Sequence, residues 1–187
     1  MRMWQVMTGM LAGGVLALLA LLAAGCAPAL NWREVALPPT GAAALLPCQP
    51  DRATRTVPLG GEPTDLHMAG CDADGATFAL MAVRLPARRA PDALLAGWQQ
   101  ATLANMRAAG PVQRQPFVPA GALALAHAQR VAAQGADAQG RAVAAQAVWT
   151  ARAVPGTEAV DVLHAVVYAP APRPDVAEAF FQGLRWP

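Results

Sequence analysis

The chain contains no lysine, no isoleucine and no serine, and its 187 residues include only one tyrosine and three cysteines. Each absence closes a class of chemistry. Without serine, neither a Ser-His-Asp triad nor a Ser-Lys dyad can be assembled. Without lysine there is no Schiff-base amine and no P-loop lysine. Every Lys/Arg-type charge is arginine and alanine is abundant, the bias of a GC-rich genome. Alanine suits core, surface, helix and turn alike, so it blunts pattern reading. Beyond residue 25, thirteen arginines stand against twelve Asp plus Glu, with no basic run. That balance argues against nucleic acid as a partner and against a polybasic lipid-headgroup site.

What is present begins at the start. A single Arg2, a long apolar run and Ala23-Ala24-Gly25-Cys26 have the layout of an export signal. The cysteine directly after the small residues is similar to a bacterial lipobox, in which the thiol receives a diacylglycerol and the chain is cut just before it. Ala23 stands where the lipobox more often has Leu, which falls one place earlier at Leu22. Two other readings compete: an uncleaved spanning helix over residues 7–24, and a cleaved, unlipidated signal that leaves Cys26 as a free thiol. Gly9, Gly13 and Gly14 dilute the run, and no Arg follows it until Arg33, which favours the lipoprotein. Two acyl chains give stable anchoring where one does not. Ala27, not Asp, follows the cysteine; by resemblance to the sorting of enteric lipoproteins, that implies the outer membrane of a Gram-negative bacterium, facing the periplasm.

The division expected is 1–25 signal, 26–39 lipidated tether, and 40–187 a single domain long enough to bury a core. Short strands separated by turn residues are expected at 43–48, 52–59, 64–71 and 76–85. A helix opens at Pro91-Asp92 and stops at Gly110-Pro111. Four more strands follow at 112–118, 123–133, 141–154 and 160–169, then a helix from Pro174-Asp175. In the strand 141–154, Gln146, Thr150 and Arg152 alternate with apolar residues, which predicts a sheet half open to water. The fold class expected is α+β, an antiparallel sheet in the order ββββ-α-ββββ-α with helices packed on it.

Two short motifs carry a family likeness. Leu-Pro-Cys-Gln-Pro at 46–50 and Phe-Phe-Gln-Gly-Leu-Arg at 180–185, with the order of elements between them, resemble the PsbP/Mog1-like proteins over residues 40–186. Leu46, Leu184 and Gly183 depart from the Phe, Phe and Ser of that pattern. The resemblance implies a central antiparallel sheet flanked by helices and a binding or assembly role. It transfers no site residue.

Cys48 and Cys71 form an even pair in an exported domain, which reads as a disulfide, with two buried free thiols as the alternative. In a simple meander a strand would lie between them, putting their backbones roughly 9.6 Å apart, beyond the ~7 Å bridging limit. The bridge therefore requires curled strand ends or direct neighbours. His67, His127 and His164 each stand alone among apolar residues, which favours packed or surface histidine. His67, Met68 and Met81 hint at soft copper ligation, but adjacent strand residues face opposite ways. Asp72 and Asp74 lack the further oxygen ligands of a calcium loop and read as turn residues. Arg88-Arg89 reads as a solvated connector. No catalytic, cofactor-binding or metal-ligating residue is assigned and no cofactor is expected. The function expected is a membrane-anchored binding or scaffold module for an unknown protein partner or envelope component. A carrier or chaperone for a small apolar ligand, held in a cleft around Trp98 and Trp149, is the alternative. An enzyme would need an acid or thiol beside a histidine in a cleft.

Overall fold

Apolar alternation with Gly- and Pro-rich punctuation dictates a sheet protein, and strands dominate the computed structural model, which describes residues 29–86 and 89–187. The signal segment, Cys26 and Arg88 lie outside the described residues. In chain order the elements are β1 (Arg33–Leu37), β2 (Ala42–Leu46), β3 (Asp51–Leu59), β4 (Glu62–Ala73), β5 (Ala76–Leu85), α1 (Pro91–Asn105), β6 (Ala109–Pro116), β7 (Gln129–Ala136), β8 (Ala142–Ala153), β9 (Val160–Ala169) and α2 (Pro174–Gln182). Among these no helix is long and apolar enough to cross a membrane.

The order ββββ-α-ββββ-α is overturned. Five strands precede the first helix, and the strands divide into a two-stranded sheet, β1-β2, and a seven-stranded one ordered β3-β4-β5-β9-β8-β7-β6. The additional strand comes from the stretch expected to be a tether. Only Val35 and Leu37 of Arg33–Leu37 are buried, too short an alternation to stand out ahead of Pro38-Pro39. The chain is already hydrogen-bonded to the domain at Asn31, whose N–H donates to the Pro47 carbonyl at 2.7 Å. A smaller correction concerns residues 123–128, expected as strand: they form turns, and β7 starts at Gln129.

The large sheet is antiparallel throughout, and the last strand in sequence lies at its centre. β9 pairs with β5 on one side, Leu80 facing Ala165, and with β8 on the other, Val148 facing Ala165. Both faces are covered at the central strands β5, β9 and β8, so the half-open sheet expected from 141–154 is also overturned. Gln146 and Thr150 are 8% and 0% exposed. On one face α1 lays Leu94, Leu95 and Trp98 over Val83, Val131, Ala147, Trp149 and Val162. On the other, the β1-β2 hairpin and α2 cover Phe78, Leu80, Val148, Leu163 and Val167, using Val35, Leu37, Leu46, Phe180 and Phe181. Phe78 and Phe180 meet edge to face at 5.7 Å. At the margin of this core, Asp161 is fully buried and takes a bidentate bond from Arg84, 2.7 and 3.0 Å, satisfying a charge that could not be buried alone.

The two motifs at 46–50 and 180–185 belong to segments that meet. Arg185 and Ala43 exchange backbone hydrogen bonds of 2.8 and 2.9 Å, so the end of the chain extends the hairpin. A Cβ at Gly183 would lie 2.9 Å from the Leu45 side chain, so glycine permits this approach. Gly135 is more tightly constrained. Its strand passes the end of α1, where a Cβ would fall 2.1 Å from the Met106 carbonyl oxygen.

The separate hairpin also explains the cysteines. Cys48 follows β2 in the covering layer and Cys71 lies on β4 in the large sheet, so no strand intervenes. They form a disulfide across a Cα separation of 6.0 Å, tying hairpin to sheet. Closing a loop of 23 residues restricts the unfolded chain by about 3 kcal/mol. Replacing both Cys48 and Cys71 by Ala is therefore expected to lower unfolding free energy by about 3 kcal/mol in a urea titration, and reductant is expected to do nothing further to that variant.

Candidate functional site

The covering elements are too few for seven strands, and both outer strands, β3 and β6, are left largely exposed, with concavities flanking β6. β6 ends the sheet, so each of its side chains faces one of two margins. Gln113 and Gln115 project to the α2 side, while Val112 and Arg114 project to the α1 side.

On the α2 side lies a trough of about 620 Å³. Register places Ala132 at its centre, with Gln113 opposite on β6, Gln146 opposite on β8, and Arg130 and Gln134 two residues away along β7. Pro172 and Pro174 form the wall next to α2. Arg130 closes one end: it donates to Glu178 of α2 and to Gln146 Oε1 at 3.2 Å, and its guanidinium lies 5.2 Å from the Phe181 ring centroid. Arg130 and then Gln182, by hydrogen bonding, hold the Glu178 carboxyl below its ordinary range. Among the described residues Gln113, Gln115 and Gln134 find no side-chain hydrogen-bond partner, which leaves a set of open amides over an alanine floor. Each amide offers both donors and an acceptor.

On the α1 side, a groove of about 600 Å³ runs between α1 and β6, with Arg107, Arg114 and His127 along it and Leu103 and Val112 partly buried beneath. His127 is not on a strand, as expected, but in the turn before β7. Asp92, in the first turn of α1, accepts from the His127 backbone N–H at 2.8 Å and bonds its ring Nδ1 at 3.0 Å. Gln99 Nε2 donates to the His127 carbonyl at 2.8 Å. Partial desolvation raises the Asp92 carboxyl, but the two bonds from His127 outweigh it and the net shift is downward. An acid thus stands beside a histidine, yet both Asp92 oxygens serve to hold the 117–128 loop to α1. No serine exists and both described cysteines are in the disulfide, so neither residue type supplies a nucleophile there.

His164 and His67 are placed elsewhere. His164, 1% exposed, stacks on Trp149 at 4.2 Å and meets Trp98 edge-on at 5.2 Å, filling the space where the carrier reading would put a ligand. Its Nδ1–H donates to the Val148 carbonyl at 3.1 Å, which fixes the tautomer. His67 bonds Thr54 Oγ1 at 3.1 Å across the β3-β4 pair. Met68 faces Met81 on the opposite side of the sheet, so the soft-ligand set is not assembled. Among the described residues no group of three His, Cys, Asp or Glu could hold a metal ion. Asp72 accepts from Thr77 Oγ1, and Asp74 with Gly75, at φ 48° and 71°, turns the β4-β5 hairpin. Arg89 is no solvated connector: it bonds Thr64 Oγ1 at 2.7 Å and the Leu59 carbonyl, fixing the β3-β4 turn.

The trough residues escape sequence reading because the glutamines come from three strands and meet only through register. The one local signal is the Val-Gln-Arg-Gln alternation at 112–115. No family model, curated protein or solved structure matches the chain.

Burial pushes the His164 imidazole down to about 3, so it stays neutral in the folded state. The unfolded chain takes up that proton below about 6.5, the folded chain only near 3. Stability is therefore complete above 6.5 and falls as pH drops towards 3, by about 1.4 kcal/mol per unit. Between pH 7 and pH 5 the protein is expected to lose about 2 kcal/mol more than His164→Leu, which is weaker at pH 7. Equal losses in urea titrations of the two would refute this.

Proposed function

We propose that the chain is a lipid-anchored module of the bacterial envelope, facing the periplasm from the outer membrane, and that it binds a protein partner through the open margin at β6 and β7. The observation that carries this reading is that margin itself. Most of the large sheet is covered on both faces, while the two concavities flanking β6 expose the amides of Gln113, Gln115 and Gln134 and the guanidinium of Arg114, which have no side-chain partner among the described residues, and Arg107, which reaches only a carbonyl. The Cys48–Cys71 disulfide supports an oxidising compartment, in keeping with export through the signal at 1–25. With Cys26 carrying the diacylglycerol, only residues 27–30 separate the lipid from the first backbone bond of the domain at Asn31. Four extended residues reach about 14 Å, so the domain works against the membrane surface. The likeness of residues 40–186 to PsbP/Mog1-like proteins supports binding or assembly over catalysis. His164, stacked on Trp149 and edge-on to Trp98, favours this reading over an apolar-ligand carrier, since the three rings fill the proposed cleft.

Cys26→Ala is expected to move the protein from the membrane to the soluble periplasmic fraction, and the unaltered protein is expected to carry the mass of a diacylglycerol. A photo-crosslinking residue at Gln134 is expected to capture a discrete partner in intact cells, and one at Thr54, on the far side of the sheet, to capture none. Membrane retention of Cys26→Ala together with a lipid-free mass would contradict the anchor. Equal capture from both positions would contradict the margin.

A further inference from the structure

The geometry points to an acidic, extended polypeptide segment as the occupant of the groove between α1 and β6. This rests on the partner-binding reading above and names the chemistry of the partner. Its cations, Arg107 and Arg114, line the groove and no carboxylate does. Among the described residues Arg114 makes no hydrogen bond or ion pair. Arg107 reaches only a carbonyl, that of Ala138 at 3.2 Å, which leaves its charge uncompensated. The nearest acids are engaged elsewhere: Asp92 holds His127, and Asp137 is bound by the Arg141 guanidinium and by the N–H groups of Gln139 and Arg141.

The spacing of the cations selects an extended ligand. Arg107 follows the end of α1, whereas Arg114 lies on β6; the strand bulges between Ala109 and Gln113, so residues 109 and 114 pair with Gln134 and Val131 and stand about 10 Å apart along the sheet. A chain with carboxylates at intervals can meet both, and Leu103 and Val112 between them offer a partly apolar floor to its alternate side chains. The position of the groove separates it from the membrane as a ligand. The chain enters the domain through β1, whose hairpin covers one face of the sheet, and the groove opens beside α1 on the other face.

The test uses the full chain in nanodiscs of zwitterionic lipid, titrated into fluorescein-labelled twelve-residue peptides of alternating glutamate and valine or alternating lysine and valine. The acidic peptide is expected to bind at least about tenfold more tightly than the basic one at low salt, and to weaken as salt rises. Arg107→Gln and Arg114→Gln are each expected to weaken it about five- to tenfold, with Arg55→Gln at the opposite edge of the sheet unchanged. Equal binding of both peptides, no binding of either, or insensitivity to both groove substitutions would overturn the assignment. So would nanodiscs of anionic phosphatidylglycerol that displace the acidic peptide in an Arg114-dependent way, since lipid would then be the ligand. Failure here with partner capture at Gln134 intact removes only the acidic-peptide assignment. Peptide binding without capture in cells removes the margin reading instead.

Discussion

Burial of β9 on both faces is the constraint on which the rest of the structure depends. Seven of its ten residues in succession, Asp161 to Val167, are buried, so it can only be a central strand with cover above and below. Odd positions Leu163, Ala165 and Val167 require the β1-β2 hairpin and α2. Even positions Val162, His164 and Val166 require α1. A small domain has only these elements to spend, and they are centred on β5, β9 and β8. The outer strands β6 and β3 are left to blunt their own edges, with Pro111 and Pro116 in one and Arg52, Arg55 and Pro58 in the other.

The function we propose rests on the same geometry. A sheet wider than its cover has margins, and the margin at β6 exposes different chemistry to its two sides because side chains alternate. Amides over alanine, with Arg130 at one end, lie on one side and arginines over leucine and valine on the other, and the proposed binding of a polypeptide rests on these two surfaces. The disulfide contributes by holding the β1-β2 hairpin to β4, against the face opposite α1. In the function we propose, lipid attachment, partner surface and covered core occupy separate parts of one domain.

Much of the fold is legible in the sequence where local chemistry decides it. The β4-β5 hairpin is written in Asp74-Gly75, which adopts the positive φ values that a two-residue turn needs. Pro91 and Pro174 mark both helix starts. β1 is not legible, because Arg33–Leu37 offers too few apolar positions and precedes two prolines. Nor is the cover over Gln146 and Thr150, since polar residues at period two look the same whether they face water or an α-helix and a hairpin. The pairing of Cys48 with Cys71 follows from their number, but its geometry depends on a second sheet that no local pattern announces. At the candidate site, Gln113, Ala132 and Gln146 become neighbours only through the β6-β7-β8 register, and Asp92 meets His127 across a loop.

Hydrogen exchange on the isolated protein tests the central claim most directly, that a doubly covered β9 leaves β6 as the open margin. Amides of β9 and of the β8 and β5 strands beside it are expected to exchange slowest, near the rate of global unfolding, while those of β6 exchange much faster. Protection of β6 equal to that of β9, or early exchange throughout β9, would contradict the account.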